Sequence, residues 1–208
     1  MKNICFIHIA TIGNYQSIVD EIFSYIPRNS FNKIFVNIAG ESNISLPDYV
    51  EILGKRSNLN EFEFTTLEYI KNYCKNNNNN ICYLHTKGAS TGNNICSDEW
   101  RQYMLHFNLK NINYIEKILK ENNTCGVDLV YEPTTHYSGN FWWSTADHIN
   151  SLPYPKDIDM VISERHKCEF WICSKKGGKY SSLHNSGINV YQRHLNRYPK
   201  EKYEKSNS

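Results

Sequence analysis

The stretch Ile4-Cys5-Phe6-Ile7-His8-Ile9-Ala10 is short, apolar and almost uninterrupted, and it decides the fold. Such a run is typical of a strand that is buried on both faces of a mostly parallel sheet. The turn Thr11-Ile12-Gly13-Asn14 follows it, and apolar side chains then recur at helical spacing over residues 18–26, until Pro27 ends the pattern. Residues 34–38 form another apolar run and predict a second strand, which completes a right-handed βαβ unit.

The remaining segments continue this alternation. Further strands are predicted over residues 81–84 and 126–130, and a long helical segment over residues 97–119, with a break near Asn108. A last helix is predicted over residues 163–172, with Ser163 as its cap.

The region around residues 61–68 is expected to contain a strand followed by a helix. Phe62 and Phe64 alternate with glutamates, as in a short strand, and Thr65 has a capping-box spacing to Glu68 at the start of a helical pattern. Taken together, helices between short apolar strands predict an α/β fold, a single domain with a central, mostly parallel (mixed) sheet flanked by helices. We expect this domain to span residues 1–196 and the polar residues 197–208 to form a peripheral tail.

Composition excludes several classes of protein. Of the 208 residues, 40% are hydrophobic and 21% are charged, which suits a folded globule and not a disordered chain. A net charge of +2 gives no general reason to bind nucleic acid. Without a run of about 18 apolar residues or a signal-peptide cleavage site, we expect a soluble cytoplasmic protein with no membrane span. The seven cysteines, odd in number and without a C-x-x-C pair, indicate reduced thiols.

Two turns are candidates for binding an anion. In open α/β sheets, ligands bind beyond the carboxyl ends of the strands, where backbone N–H groups and helix N-termini approach them. The first turn follows Ala10 and leads to Tyr15; the second is His85-Thr86-Lys87-Gly88, in which Lys87 could neutralise a phosphate. Neither P-loop nor dinucleotide-binding glycine motifs occur in the chain. From spacing alone, a satisfied polar turn is an equally good interpretation of His85 and Lys87.

The densest aromatic segment is His136-Tyr137-Ser138-Gly139-Asn140-Phe141-Trp142-Trp143-Ser144. Adjacent tryptophans on a strand point to opposite faces, so one ring could line a pocket and stack on a sugar. His136, Ser138 and Asn140 would then bind the sugar hydroxyls. The alternative is an aromatic strand in the core.

Several carboxylates and one histidine are candidates for chemistry. Glu169 lies among aromatic residues on a predicted helix and is our choice of general base over Glu164 and Asp147, although it could equally pair with Arg165. His184 could reach a phosphate or a metal, but a lone histidine is more often structural.

The literal D-x-D string Asp157-Ile158-Asp159 has the wrong setting for a cation site. It follows two prolines in a late loop instead of the carboxyl end of a central strand. We therefore predict no metal-ligating residues in it.

Several segments of the chain, between about residues 4 and 190, together resemble a family of small glycosyltransferases of chlorella viruses, giant viruses and some bacteria. They are residues 6–14, Tyr83-Leu84-His85-Thr86-Lys87-Gly88, Trp100-Arg101-x-Tyr103-Met104, Cys125-Gly126-Val127, the His136 to Trp143 string and residues 164–172. The Y-L-H-T-K-G and H-Y-S-G-N-F-W-W strings are the most specific. The resemblance implies a GT-A-like fold, a UDP-sugar donor, and a glycan or glycoprotein acceptor in viral or surface glycan synthesis, in the host cytoplasm if the chain is viral.

The resemblance also implies which residues form the site. His85-Thr86-Lys87 stands where most GT-A enzymes carry D-x-D, which leaves open whether a divalent cation, Mn²⁺ or Mg²⁺, takes part. The expected donor-binding residues are Ala10, Thr11, Gly13, Asn14, Tyr15, His85, Thr86, Lys87, Gly88 and His184. The expected acceptor or sugar residues are His136, Ser138, Asn140, Trp142 and Trp143, and the catalytic candidates are Glu169 and Asp147.

Two other functions remain open from the sequence. A non-catalytic sugar- or nucleotide-binding module would keep the fold and lose the chemistry, and the replaced D-x-D favours it. A nucleotidyltransferase would need a glycine-rich, basic N-terminal loop, but the turn over residues 11–14 has one glycine and no basic residue.

Overall fold

The computed structural model describes residues 1–40, 43–56, 58–92, 94–160 and 162–204, and within them it has a seven-stranded sheet, a two-stranded ribbon and six α-helices. The strands are β1 (Asn3–Ala10), β2 (Lys33–Ala39), β3 (Glu51–Arg56), β4 (Asn80–His85), β5 (Thr124–Gly126), β6 (Leu129–Val130), β7 (His136–Tyr137), β8 (Trp142–Thr145) and β9 (Tyr180–Ser182). The helices are α1 (Tyr15–Tyr25), α2 (Phe64–Cys74), α3 (Ile95–Leu109), α4 (Ile112–Ile118), α5 (Ala146–Ser151) and α6 (Glu164–Phe170). The predicted α/β class, with a mostly parallel mixed sheet flanked by helices, is confirmed.

The order of strands in the main sheet is β3-β2-β1-β4-β8-β5-β9. The first four strands of this order are parallel to one another, and β8 runs antiparallel to both of its neighbours, β4 and β5. Because β2 lies on one side of β1 and β4 on the other, the strand order reverses between β1 and β4. This is a topological switch point, the place where open α/β sheets bind ligands at the carboxyl ends of their strands.

Strand β1 is buried on both faces, as its apolar run predicts. Ile4 and Phe6 belong to one core cluster, while Cys5, Ile7 and Ile9 belong to the other. Since successive side chains of a strand point to opposite faces, the two clusters are the two layers of apolar packing on either side of the sheet.

The predicted helices after β1 and around Asn108 are confirmed. Helix α1 buries Ile18, Val19 and Ile22 and ends two residues before Pro27. A break separates α3 from α4 at residues 110–111. No helix in the described ranges is both long enough and apolar enough to cross a membrane.

The predicted strand over residues 61–64 is wrong. A short 3₁₀ turn over Leu59–Glu61 leads directly into α2, whose N-cap is Glu63. Thr65 is inside the helix, where its hydroxyl donates to Glu61 Oε2 at 2.9 Å, so the capping-box interpretation is also wrong. Phe64 packs in the core with Leu67 and Ile70, and this helical spacing outweighs the local alternation.

Two further strand assignments differ from the expectation. Edge strand β3 (Glu51–Arg56) is not among the strands that the sequence predicts. The single strand predicted over residues 126–130 is divided into β5 and β6, because Asp128 between them takes a left-handed backbone with φ of 45°.

The predicted boundary at residue 196 is also wrong, because residues 197–204 pack on the domain. Tyr198 and Tyr203 are buried, and their ring centroids lie 5.0 and 5.4 Å from that of Tyr103. Arg197 Nε donates to Glu99 Oε1 at 2.7 Å, and the Tyr198 N–H donates to Glu99 Oε2 at 2.8 Å. Aromatic burial and a carboxylate on α3 therefore hold this polar segment in place, while residues 205–208 lie outside the described residues.

We expect Tyr203→Ala to lower the free energy of unfolding by about 3–5 kcal/mol, because the change leaves a cavity at a side chain that is 0% exposed. In a domain of this size, such a loss lowers Tm by about 10 °C, which calorimetry would detect. Tyr131→Ala is the matched control, because Tyr131 is 69% exposed and its removal should leave Tm nearly unchanged. Equal Tm values for the two variants would mean that the C-terminal segment does not contribute to the core.

Candidate functional site

A cavity of about 110 Å³ lies at the switch point, at the carboxyl ends of β1 and β4. We call it the switch-point cavity. Its walls come from the turn after β1, the turn after β4, the start of α2 and one residue of α6. The lining residues are His8, Ala10, Ile12, Leu59, Phe62, Glu63, His85, Thr86, Lys87, Gly88, Ala89, Ser90 and Arg165.

The two predicted anion-binding turns are in direct contact. The Ala10 N–H donates to Thr86 Oγ1 at 2.9 Å, and the Thr86 N–H donates to the His8 carbonyl at 3.1 Å. Gly13 has φ of +56°, and a Cβ atom at this position would lie 2.5 Å from the Ala89 carbonyl oxygen. Only glycine therefore allows the turns to approach this closely.

The expected donor-binding residues divide into two groups at this edge. Ala10 and residues 85–88 line the switch-point cavity. Thr11, Gly13, Asn14 and Tyr15 lie in the adjoining turn and helix start, and none of them is among the lining residues of the described cavities. Thr11 donates its hydroxyl to the Ala39 carbonyl at 3.1 Å, so its side chain connects the turn to β2.

A larger cavity of about 520 Å³ adjoins the first, and we call it the main cleft. The two cavities have Lys87, Gly88, Ser90 and Arg165 in common. The start of α3, the loop around β7, helix α6 and the C-terminal segment form its walls. Its other lining residues are Thr91, Cys96, Ser97, Trp100, Pro133, His136, Ser138, Gly139, Ile162, His166, Glu169, Phe170, Tyr191, Arg193 and His194. Its volume is in the range of small-molecule sites.

Among the expected sugar-binding and catalytic residues, His136, Ser138 and Glu169 line the main cleft. Asn140 does not line the main cleft, because its side chain forms hydrogen bonds within the protein interior. Its Oδ1 atom accepts from Trp142 Nε1 at 3.0 Å, and its Nδ2 atom donates to the Cys168 carbonyl at 3.4 Å. The prediction that Asn140 binds a sugar directly is wrong for this reason.

Trp142 and Trp143 are both 0% exposed and lie in the cores on opposite faces of the sheet. Trp143 stacks on Phe31, with ring centroids 5.4 Å apart, and donates Nε1–H to the Asn108 carbonyl at 2.9 Å. The aromatic core interpretation is confirmed, and the prediction that these rings stack on a sugar is wrong. Trp100 is the tryptophan that lines the main cleft.

Asp147 is on the wrong edge of the sheet for catalysis. It is exposed in the first turn of α5, which follows Thr145, and Thr145 pairs with Asn80 at the amino end of β4. The switch-point cavity lies at the opposite end of β4. Asp147 as a catalytic carboxylate is therefore wrong.

His184 packs beside helix α3 and lines neither the main cleft nor the switch-point cavity. Its Nδ1 atom lies 3.0 Å from the Tyr103 hydroxyl, and its ring stacks on Phe107 at a centroid distance of 4.2 Å. The structural interpretation fits these contacts, and direct donor binding by His184 stays a prediction.

The contacts of His85 with Gly139 and Glu63 show which ring nitrogen of His85 carries its hydrogen. His85 Nε2 lies 3.0 Å from the Gly139 carbonyl, which can only accept, so Nε2 carries the hydrogen. Burial lowers the pKa of His85 well below its ordinary value, and the ring is therefore neutral. Its Nδ1 atom then presents a lone pair to Glu63 Oε1, which is 3.4 Å away.

The carboxyl group of Glu63 has the environment of a weak acid. Burial is the largest influence on its pKa and raises it, Lys87 and Arg165 lower it, and the charge of Glu169 adds to the rise, so that the pKa of Glu63 is about 7. Proton exchange near neutral pH is the property required of a general acid or base.

Glu169 is half-buried on α6 and faces the same region. Its Oε1 accepts a hydrogen bond from the Gly139 N–H at 3.4 Å. Gly139 therefore contacts both sides of the site, through its carbonyl to His85 and through its N–H to Glu169. Two carboxylates and two cations, Lys87 and Arg165, meet where the cavities join.

Arg193 forms part of the outer wall of the main cleft. Its guanidinium carbon lies 3.4 Å from the Trp100 ring centroid, and its Nη2 lies 3.0 Å from Asp128 Oδ2. Burial lowers the pKa of Arg193 to about 10, so the side chain stays charged at neutral pH.

A family model described as a domain of unknown function, DUF8361, matches residues 6–169, which is most of the chain. The chain belongs to the DUF8361 family. A search of curated proteins found no match to this chain. The matched segment of this DUF8361 domain includes Glu63, Lys87, Arg165 and Glu169, and it ends before Arg193.

The DUF8361 domain does not present a suitable cation site at the position where the resemblance expects D-x-D. His85 directs an N–H at Gly139, and Lys87 brings a positive charge, whereas Mn²⁺ and Mg²⁺ prefer oxygen ligands. Across the described ranges, no three His, Cys, Asp or Glu side chains are grouped so that they could hold a metal ion.

Three residues of the site were not found from the sequence of this DUF8361 domain. The sequence predicts Glu63 in a short strand and Trp100 in a long helix, and it places Arg193 in no element. A helical assignment for residues 64–74 would have placed Glu63 at a helix start near the switch point, but no local signal marks Arg193.

We expect Glu63→Gln to become more stable relative to the wild type as pH rises from 5 to 8. The folded-state pKa of Glu63 is raised from 4.5 to about 7, so its stabilising contribution is lost as pH rises through 7, whereas glutamine does not ionise. With the Glu63 side chain 17% exposed, the change in the stability difference should be about 1–3 kcal/mol by urea unfolding. Glu164→Gln, at a side chain that is 57% exposed, is the control and should show little pH-dependent difference. A pH-independent difference for Glu63→Gln would contradict the assignment.

Proposed function

We propose that this DUF8361 domain is a glycosyltransferase that moves a sugar from a nucleotide-diphosphate sugar, UDP-linked, onto a glycan or another hydroxyl acceptor. The observation that carries the proposal is the junction of two cavities at the switch point, where Lys87 and Arg165 face both. The resemblance of the Y-L-H-T-K-G and H-Y-S-G-N-F-W-W strings to small glycosyltransferases supports this class. The proposal includes a cytoplasmic location, in the host cell if the chain is viral.

The switch-point cavity suits the diphosphate end of such a donor. Its volume of about 110 Å³ accommodates a phosphate-sized group, and the rest of the ligand would extend into the main cleft of about 520 Å³. Gly88, with φ of +89°, shapes the turn that brings Lys87 to the cavity. The cations Lys87 and Arg165 would offset the charge that develops on the departing diphosphate.

The main cleft suits the sugar and the acceptor. Trp100, Phe170 and Tyr191 provide aromatic surface on which the apolar face of a sugar ring can stack. His136 and Ser138 add polar groups that can bind hydroxyls.

Glu169 is the proposed general base. In an inverting reaction, the acceptor oxygen attacks the anomeric carbon, its proton passes to the Glu169 carboxylate, and the bond to the diphosphate breaks with its electron pair on the phosphate oxygen. Glu169 is half-buried, lines the main cleft and is oriented by the Gly139 N–H at 3.4 Å.

We expect UDP, among UDP, GDP, CMP and TDP, to raise Tm of the wild-type protein, because a ligand that binds only the native state stabilises it. With UDP-sugars and a hydroxyl acceptor, the wild type should release UDP. Pyrophosphate release from a nucleoside triphosphate and a sugar phosphate would instead indicate a nucleotidyltransferase. Binding of UDP with no turnover on any donor would favour the non-catalytic module.

We expect Glu169→Gln to lower turnover by about 10²–10⁴-fold and to change the Kd for UDP by only a few-fold, because a general base acts in the chemical step. Glu164→Gln on the same helix is the control, since Glu164 is exposed and pairs with Lys167 at 3.1 Å. Unchanged turnover in Glu169→Gln would remove Glu169 from the mechanism.

A further inference from the structure

Two titratable side chains at the switch point, half-buried Glu63 and buried His85, have no role in the transfer step described above. Glu63 and His85 line the switch-point cavity, with Glu63 Oε1 and His85 Nδ1 3.4 Å apart. Two acceptor atoms at this separation repel each other unless one of them carries a proton. The His85 Nε2 hydrogen is already directed at Gly139, so a neutral His85 has no proton at Nδ1.

We propose that the switch-point cavity binds a phosphate or diphosphate group together with one proton, which the Glu63–His85 pair holds. The inference rests on the proposed function, in which the diphosphate belongs to the nucleotide sugar. In the protonated pair the Glu63 hydroxyl donates to His85 Nδ1, and the cavity then contains no carboxylate charge from Glu63.

The charges around Glu63 set the strength of this coupling. The titratable groups that face the pair are His8 on β1, Tyr83 on β4, Lys87 after β4, and Arg165, Cys168 and Glu169 on α6. The Lys87 and Arg165 cations favour ionised Glu63, while burial and Glu169 favour the protonated form. Near pH 7 the two forms are therefore close in free energy, and a nearby charge can select between them.

An arriving phosphate is such a charge. In a cavity of about 110 Å³ it lies within a few ångströms of the Glu63 carboxyl, so an ionised Glu63 repels it. It also occupies Lys87 and Arg165, the two cations that favour ionised Glu63. Both effects raise the proton affinity of Glu63, and by linkage the protonated protein binds the anion more tightly.

The test is isothermal titration calorimetry of UDP into the whole chain, at pH 7.5, 8 and 8.5, in buffers of different ionisation enthalpy. The wild type should take up between about half a proton and one proton per UDP at pH 8, and its Kd should rise by up to about tenfold per pH unit. Glu63→Gln stays neutral and can donate its amide hydrogen to His85, so it should take up no proton through this position. At pH 8.5 it should bind UDP about tenfold more tightly than the wild type.

Glu164→Gln is the matched control, because it also removes one carboxylate from the region but outside both cavities. It should keep the proton uptake of the wild type. Proton uptake in the wild type needs no variant, so a value near zero at pH 8 overturns the inference even if Glu63→Gln fails to fold. The same pH dependence of Kd in the wild type and Glu63→Gln also overturns it.

Inorganic pyrophosphate, used as a second probe, separates this inference from the proposed function. Pyrophosphate binding with Glu63-dependent proton uptake, but without UDP binding or transfer, supports the proton-coupled site and contradicts the transferase. UDP turnover without Glu63-dependent uptake supports the transferase and contradicts the coupling. If neither UDP nor pyrophosphate binds, both proposals are wrong.

Discussion

The parallel pairing of β1 with β2 on one side and β4 on the other is the constraint on which the candidate site depends. It brings the turns after β1 and β4 to the same edge of the sheet, where Thr86 bonds the Ala10 N–H and Gly13 meets the Ala89 carbonyl. The hydrogen bond to the Thr86 side chain and the close packing at Gly13 therefore hold the two turns together. Lys87 and the pair of Glu63 and His85 are placed from this base, and a change in the register of β1 against β4 would separate them.

Burial and charge give the two carboxylates of the site different properties. Glu63 lies beside neutral His85. The Nδ1 atom of His85 faces Glu63 and can only accept a hydrogen bond, which favours a proton on Glu63. Glu169 lines the main cleft and accepts the Gly139 N–H at 3.4 Å. Carboxyl groups in environments this different suit different roles in proton chemistry. Lys87 and Arg165 reduce the repulsion between them when both are charged.

The parts of the fold that depend on local patterns could be predicted, and the parts that depend on tertiary contacts could not. Apolar runs fix β1 and β4 because a strand buried on both faces needs apolar side chains at successive positions. The alternation of Phe62 and Phe64 with glutamates predicts a strand at the start of α2, whereas Phe64 packs with Leu67 and Ile70 in the core at helical spacing.

The same distinction applies to the site. His85, Lys87 and Glu169 line the cavities, and local patterns single them out because they follow a strand or lie on a helix beside aromatic residues. For the tryptophans of β8 the local pattern allows either a pocket or a core strand, because it does not show whether both faces of this part of the sheet are covered. Arg193 could not be found, since its position depends on Asp128 and Trp100, which are distant in sequence.

The contacts of Arg193 hold a polar C-terminal segment against the main cleft, where it forms part of the wall. The Arg193 side chain is only 8% exposed, so its guanidinium has a large cost of desolvation, and its Nε and Nη1 atoms have no hydrogen-bond partner among the described residues. The ion pair with Asp128 and the stacking on Trp100 offset this cost, and both are lost if the segment moves away. Because the two contacts act on one side chain from different parts of the fold, they fix its position in the wall. The carboxylates and cations at the cavity junction belong to the family-matched residues 6–169, whereas Arg193 follows them. The cavity junction and this part of the cleft wall therefore come from separate segments of the chain. The ion pair between Asp128 and Arg193 connects the two segments.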